Sequence, residues 1–291
     1  MEFVANFMST EIDPVVWSQE REAEGWDVLG CADHLWSGVR AFPHVWVTLG
    51  AMAVATERVM LATSFANNLF RSPVEFAQAA LQMHAVSGGR FEAGLGAGWS
   101  REEAEGSGVG YPSAGERAGR YIEAVGIVRE LLKTGTCTYE GQHYNVRVPM
   151  LGPVGKPPLV ASLGGDRTIR EIAPLVDRVE LKVISEATRD GTLNFEKVGA
   201  IPRSHLRELV DKVRAVNPDV PIGVFILCGV GDDKQTKYLE DLLQDTFFGG
   251  FFGSAAKVAA SMHSLTNEGI TRVQVSPFGA DAFELLAPEL F

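Results

Sequence analysis

Three glycines stand on alternate positions within GRFEAGLGAGWSREE: Gly94, Gly96 and Gly98. A dinucleotide fingerprint runs G-x-G-x-x-G between a strand and a helix, with an acidic residue roughly 20 positions further on. Here the third glycine comes one residue early, and Trp99 takes its place. The segment also reads as a fourth strand rather than a first, so that chemistry is excluded. Two readings stay open. Backbone without Cβ atoms lets a flat ring or a ribityl chain come close, or it lets the strand pack tightly on a helix. A second glycine turn, SLGGDR, leads into a helix start, where backbone N–H groups and the helix dipole favour an anion. Leu163, Gly164 and Gly165 are its phosphate-holding candidates, with Asp166 as a helix cap. Asp33 and His34 end another apolar run. A histidine of ordinary pKa, about 6.5, can give or accept a proton near neutrality; the alternative is an Asp-His cap on the next helix. Glu102 and Glu103 could hydrogen-bond ribityl hydroxyls, but they also suit the dipole of a first helical turn, and that reading is preferred for both.

These groups need elements to hold them. Strands are expected at Phe3–Phe7, Val28–Ala32, Val59–Thr63, Phe91–Gly96, Leu159–Ser162, Val179–Val183, Ile222–Cys228 and Val273–Ser276. Several are continuous apolar runs, as strands covered on both faces are. Between them lie helical stripes: Ala77, Ala80, Leu81 and His84; Tyr121, Val125, Val128 and Leu132; Val258, Met262 and Leu265. Pro14, Pro43, Pro73 and Pro202 sit near helix starts, where a missing N–H costs little. Alternating β and α elements with eight strands imply an α/β fold, a (β/α)8 TIM barrel occupying residues 1–291 as one domain. The longest connection, Gly98 to Pro158, is an insertion after strand 4; it carries a long helix and a hairpin, TCTYEGQHYNV, expected over the active face.

Composition narrows the function. With 37 acidic and 26 basic residues the formal charge is −11, which disfavours a nucleic-acid or anionic-membrane binder. Three scattered cysteines without a CxxC, and six histidines without zinc spacing, point to neither disulfides nor a metal. The N-terminus lacks the pattern of a signal peptide, and VWVTLGAMAVA is too short to span a bilayer. A cytoplasmic protein with no membrane partner is expected. In DTFFGGFFGS, four phenylalanines surround two glycines, read as packing or a subunit contact rather than a lid.

SGGRFEAGLGAGWSREEAEGSG resembles the luciferase-like flavin and deazaflavin oxidoreductase family, in which such a strand ends in glycines and a tryptophan. AEGWDVLGCADHLW is similar to that family's second strand and Asp-His turn. TERVMLATSFANNLFRSPVEFAQAALQMHAVSGGR is similar to its third strand, ligand loop and third helix. YEGQHYNV, PPLVASLGGDRTIREIA and GSAAKVAASMHSLTNEGITRVQV resemble its insertion hairpin, fifth strand and last helix-strand pair; little between Glu186 and Phe252 aligns.

The resemblance implies a barrel holding coenzyme F420 or, alternatively, reduced FMN. It places Asp33 and His34 against the ring, with His34 in proton transfer. It puts a cis peptide at Ser64–Phe65 behind the ring, with Asn67 in the same loop, and it sets Gly96, Gly98 and Trp99 beside ring or side chain. The sugar-phosphate dehydrogenases of the family carry a catalytic glutamate where this chain has Trp99, which argues against a sugar phosphate. The implied activity is hydride transfer to or from a small organic substrate. The FMN alternative is a monooxygenase fed by a separate reductase, because no nicotinamide fingerprint is present. A homodimer is expected, and the anionic F420 tail calls for cations such as Arg101, Arg117 or Arg120. Two rivals remain: a non-catalytic barrel binding a flavin or an apolar ligand, and an aldolase or isomerase barrel, for which Glu180 and Lys182 alternate on one strand face.

Overall fold

The computed structural model describes residues 1–152, 155–279 and 281–291. Eight strands form its centre: β1 (Glu2–Phe7), β2 (Val28–Cys31), β3 (Met60–Thr63), β4 (Phe91–Gly96), β5 (Leu159–Leu163), β6 (Arg178–Leu181), β7 (Ile222–Val230) and β8 (Arg272–Phe278). Each pairs in parallel with the next, and β8 pairs with β1, so the sheet closes on itself. Each expected strand is present, within two residues at either end.

Around this ring lie α1 (Pro14–Glu24), α2 (Val45–Ala55), α3 (Pro73–Val86), α4 (Arg101–Gly106), α5 (Ala114–Thr134), α6 (Asp166–Ile172), α7 (Phe195–Gly199), α8 (His205–Val216), α9 (Lys234–Leu243), α10 (Ala255–Ser264) and α11 (Ala282–Leu290). Caps set their starts. Asp13 accepts from the Val15 amide with Pro14 in the first turn, and Ser72, Ser113 and Ser254 cap α3, α5 and α10 in the same way. The expected helical stripes face inward, apart from half-buried His84.

The pleat divides the strand residues between two cores. Phe3, Leu29, Leu61, Phe91, Leu95, Leu159 and Val179 point outward and merge with the helices into one apolar layer. The barrel interior holds only a small apolar cluster, Val4, Val28 and Ala62, with Met60 against it. Beneath that cluster Arg272 bonds both oxygens of Glu92 and, at 2.8 Å, Glu2. Arg178 reaches the same Glu2 carboxylate at 3.0 Å. The barrel floor is therefore charged, and the C-terminal strand ends, where sites form in barrels of this kind, lie opposite it.

The insertion after β4 holds α4, α5 and an antiparallel hairpin, Cys137–Glu140 with Asn145–Val148. Glu123 on α5 accepts from three successive turn amides, Gln142, His143 and Tyr144, and so fixes the hairpin to that helix. Of the insertion's described helices and hairpin strands, α5 lines the cavity at the strands' C-terminal ends, and the hairpin packs beside it without doing so. Phe247, Phe248, Phe251 and Phe252 are all buried, as a packing segment requires. Among the described residues no helix is long and apolar enough to cross a membrane.

Candidate active site

A cavity of about 800 Å³ opens at the C-terminal ends of the strands. Asp33, His34, Ser64, Phe65, Asn67, Gly96, Gly98, Trp99, Gly164 and Gly165 all line it. Leu163 does not: its side chain points to the outer face of the wall and belongs to the core between sheet and helices.

The glycine series answers to packing inside the barrel. A methyl group on Gly94 would overlap the Thr63 carbonyl oxygen and press on the Phe65 ring at 2.8 Å. On Gly96 it would meet the Phe65 Cβ at 3.3 Å. Gly98 has φ +79°, and its Cβ position is filled by the Asn67 side chain. The bare backbone of β4 thus accommodates the neighbouring loop after β3, neither a helix nor, at Gly94, a ligand. That loop contains the cis Ser64–Phe65 peptide that the resemblance implied. Gly164 has a similar reason: its Cβ would lie 2.5 Å from the Ser185 Cβ.

Asp33 is buried and fully engaged. It forms an ion pair with Arg71 and accepts from the Asn67 amide at 2.7 Å. It thereby ties the turn after β2 to the loop after β3 and leaves no free carboxylate. Asn67 in turn accepts from the Leu69 amide at 2.9 Å.

His34 has a partner that the sequence did not reveal. Its Nδ1 lies 2.7 Å from Glu103 Oε2, and the other Glu103 oxygen accepts from the Leu35 amide at 2.5 Å. Glu103 is almost wholly buried, with 1% of its side chain exposed. Burial would raise its pKa, but bonding and charge from His34, together with the Leu35 amide and Ser100, outweigh that and hold it below the ordinary value. An ionised carboxylate only accepts, so Nδ1 carries the proton and donates, and Nε2 is left for other work. Glu103 does sit in the first turn of α4, where Ser100 caps its amide at 3.4 Å. That capping turn faces inward onto the Asp-His loop, which sequence spacing cannot show. Glu102 has a milder role, accepting from the Trp36 indole at 3.1 Å.

Trp99 stands between two cavity groups. Its ring lies edge-on to His34 at 5.7 Å, and the Lys182 Nζ lies 5.0 Å from its centroid. Of the expected cations only Arg117 lines the cavity. Arg101 reaches the Asp190 carbonyl and the Tyr111 ring, and Arg120 pairs with Glu116. The cavity's other cations are Arg167, Lys182, Arg189 and Lys212, contributed by α6, α8 and the segment after β6. Arg189 and Lys212 lie in the stretch where little aligns, so likeness did not point to them, and Lys182 stood out only by its alternation with Glu180.

Residues 15–243 match the family model of luciferase-like monooxygenase domains, and the chain belongs to that family. It is 32% identical over 184 residues to an F420-dependent glucose-6-phosphate dehydrogenase of Microbacterium testaceum, covering 61% of this chain and 53% of that protein. A protein of the same description from Beutenbergia cavernae is 34% identical over 140 residues, covering 46% and 41%. The chain thus spans about half the length, or less, of these curated relatives. Among solved structures, an F420-dependent secondary alcohol dehydrogenase holding an F420–acetone adduct superposes with a TM-score of 0.79 at 16% identity, covering 100% of this chain and 99% of that one. The coenzyme F420-dependent tetrahydromethanopterin reductase of Methanopyrus kandleri gives 0.75 at 15% identity, covering 99% and 96%. A monooxygenase of Streptomyces bottropensis gives 0.73 at 18%, covering 100% and 96%. The fold is the (β/α)8 barrel these proteins share.

Proposed function

We propose that this chain is an oxidoreductase that binds coenzyme F420 in the cavity at the C-terminal mouth of its barrel, with a small organic molecule as substrate. The observation that carries the reading is the His34–Glu103 pair beside Trp99, facing a cavity in the size range of cofactor sites. The residues fit such a group. Gly165 offers bare backbone, Gly96 and Gly98 line the cavity beside the loop they pack on, Ser64, Phe65, Asn67 and Trp99 offer one wall, and the cations on the α5–α6 side suit an anionic tail. F420-dependent curated relatives favour the deazaflavin over FMN. FMN remains the second reading, supported by the monooxygenase among the structural neighbours; it would require a separate reductase.

When bound, the cofactor supplies the hydride chemistry. The protein's own part is placement and proton handling. Glu103 fixes the His34 ring through Nδ1, and Nε2 exchanges a proton with the substrate. Trp99 and Phe65 give the cavity wall beside His34 an apolar surface. Titration of the purified protein with F420, and with oxidised and reduced FMN, followed by fluorescence, tests the assignment. Saturable binding of F420 at lower concentration than FMN is expected. The reverse order would favour the monooxygenase reading, and saturation by none of them would refute both.

A further inference from the structure

The rim cations are already engaged. Arg167 donates to the Gly115 carbonyl and Arg117 to those of Pro112 and Arg189. Arg189 pairs with Glu186, and Lys212 with Asp166. Lys182 differs. Among the described residues its amine makes no hydrogen bond or ion pair, and it lies over the Trp99 ring, 5.0 Å from the centroid. It also stands apart in position. It follows directly on β6, continuing the inward-facing series Arg178 and Glu180, so it rises inside the strand ring. Arg167 and Lys212 come from helices outside that ring.

We propose that Lys182 is the receptor for an oxyanion group, a carboxylate or a phosphate, carried by the substrate. The proposal rests on the function given above and narrows its substrate to an acidic molecule. The argument is one of reach. The same indole touches His34 and Lys182, so a group held by the amine belongs to a molecule that also lies beside the proton-exchanging ring. A half-buried amine without a counter-charge is an unfavourable arrangement that an incoming anion relieves. Its titration shows the strain: burial, and then the charge of Arg117, push Lys182 down to about 7. Besides Arg117, the charged and titratable groups lining the cavity are Asp33, His34, Tyr121, Asp166, Arg167, Glu186, Arg189, His205 and Lys212. None of the three carboxylates is left over for the amine, since Asp33 is paired with Arg71, Asp166 with Lys212 and Glu186 with Arg189.

An anion on the amine would raise its pKa, so binding must take up a proton. Affinity is then greatest below pH 7 and falls as pH rises through 7. The test titrates the full chain with a small dicarboxylate and, separately, with inorganic phosphate at pH 6, 7.5 and 9, by calorimetry. The carboxylate keeps its own charge over that range. Wild-type affinity should fall about tenfold or more from pH 6 to pH 9. Lys182→Met should lose about tenfold or more at pH 6, with an unchanged or higher melting temperature that excludes unfolding. Lys182→Arg should bind at every pH, because its charge does not titrate there. The arm that saturates, carboxylate or phosphate, identifies the substrate's group. Equal affinity in Lys182→Met and wild type, or a flat wild-type pH profile, overturns the proposal. So does a loss in Lys182→Met confined to F420, which would assign the amine to the cofactor. The carboxylate and phosphate titrations need no cofactor, so failure of F420 to bind in its separate titration would refute the proposed function and leave the oxyanion result readable.

Discussion

The His34–Glu103 contact makes one side chain's identity depend on another far away in sequence. Because Glu103 accepts and His34 donates through Nδ1, replacing the acid by its amide removes the preference for that tautomer without altering shape. Glu103→Gln should therefore leave cofactor affinity within a few-fold while lowering turnover about tenfold or more. His34→Ala, which removes the group itself, should lower turnover by about 10²–10⁴ with binding again largely kept. Fluorescence titration beside steady-state rates separates the two effects, and unchanged turnover in His34→Ala would remove the proton-transfer assignment. At this scale the sequence singled out His34 by its place after an apolar strand and by the family resemblance, and the structure sets it at the cavity. Glu103 was hidden, since the Ser100-x-x-Glu103 spacing is fully explained by a helix cap and the second role depends on a loop 68 residues away. Asp33, which the resemblance set against the ring, lines the cavity with its carboxylate engaged by Arg71 and the Asn67 amide, a pairing that spacing could not show.

Among the elements, β4 and the loop after β3 form one unit. The glycines of β4 exist because the Thr63–Phe65 backbone and ring lie where their Cβ atoms would be. Gly94→Ala should destabilise the chain by about 1–3 kcal/mol or more, the cost of overpacking against backbone that cannot retreat. Gly126, inside α5, meets nothing within 4 Å. Gly126→Ala should instead stabilise by about 0.4–1 kcal/mol through helix propensity and chain entropy. Urea denaturation of both variants checks the pair, and equal signs would contradict this account of the glycines. The eight strands were legible because buried parallel strands are apolar without interruption. What fills the barrel was not, because periodicity marks which residues share a face but not which neighbouring loop folds over it.

Charge is segregated across the whole molecule. A chain of formal charge −11 gathers Arg117, Arg167, Lys182, Arg189 and Lys212 around its cavity and closes the opposite end with Glu2, Glu92, Glu180, Arg178 and Arg272. Composition gave the net charge and could not give this distribution, which arises when strands far apart in sequence close into a ring. Within the floor, Glu180 is left short: it is buried, its Oε1 has no bonding partner, and Arg272 is committed to Glu92 and Glu2. Burial pushes its pKa up to about 8, against the pull of Arg272 and Arg178. An unfolded glutamate titrates near 4.5, so between these values the folded chain holds a proton that the unfolded chain has released. Stability must therefore decline as pH rises from about 4.5 to about 8, and the full penalty persists above that. Glu180→Gln removes the ionisation while keeping the shape. Its melting temperature relative to wild type should rise steadily from pH 5 to pH 9, by an amount worth a few kcal/mol at the alkaline end. A difference that stays constant across this range would show that Glu180 is ionised in the fold throughout, held by the arginines beside it.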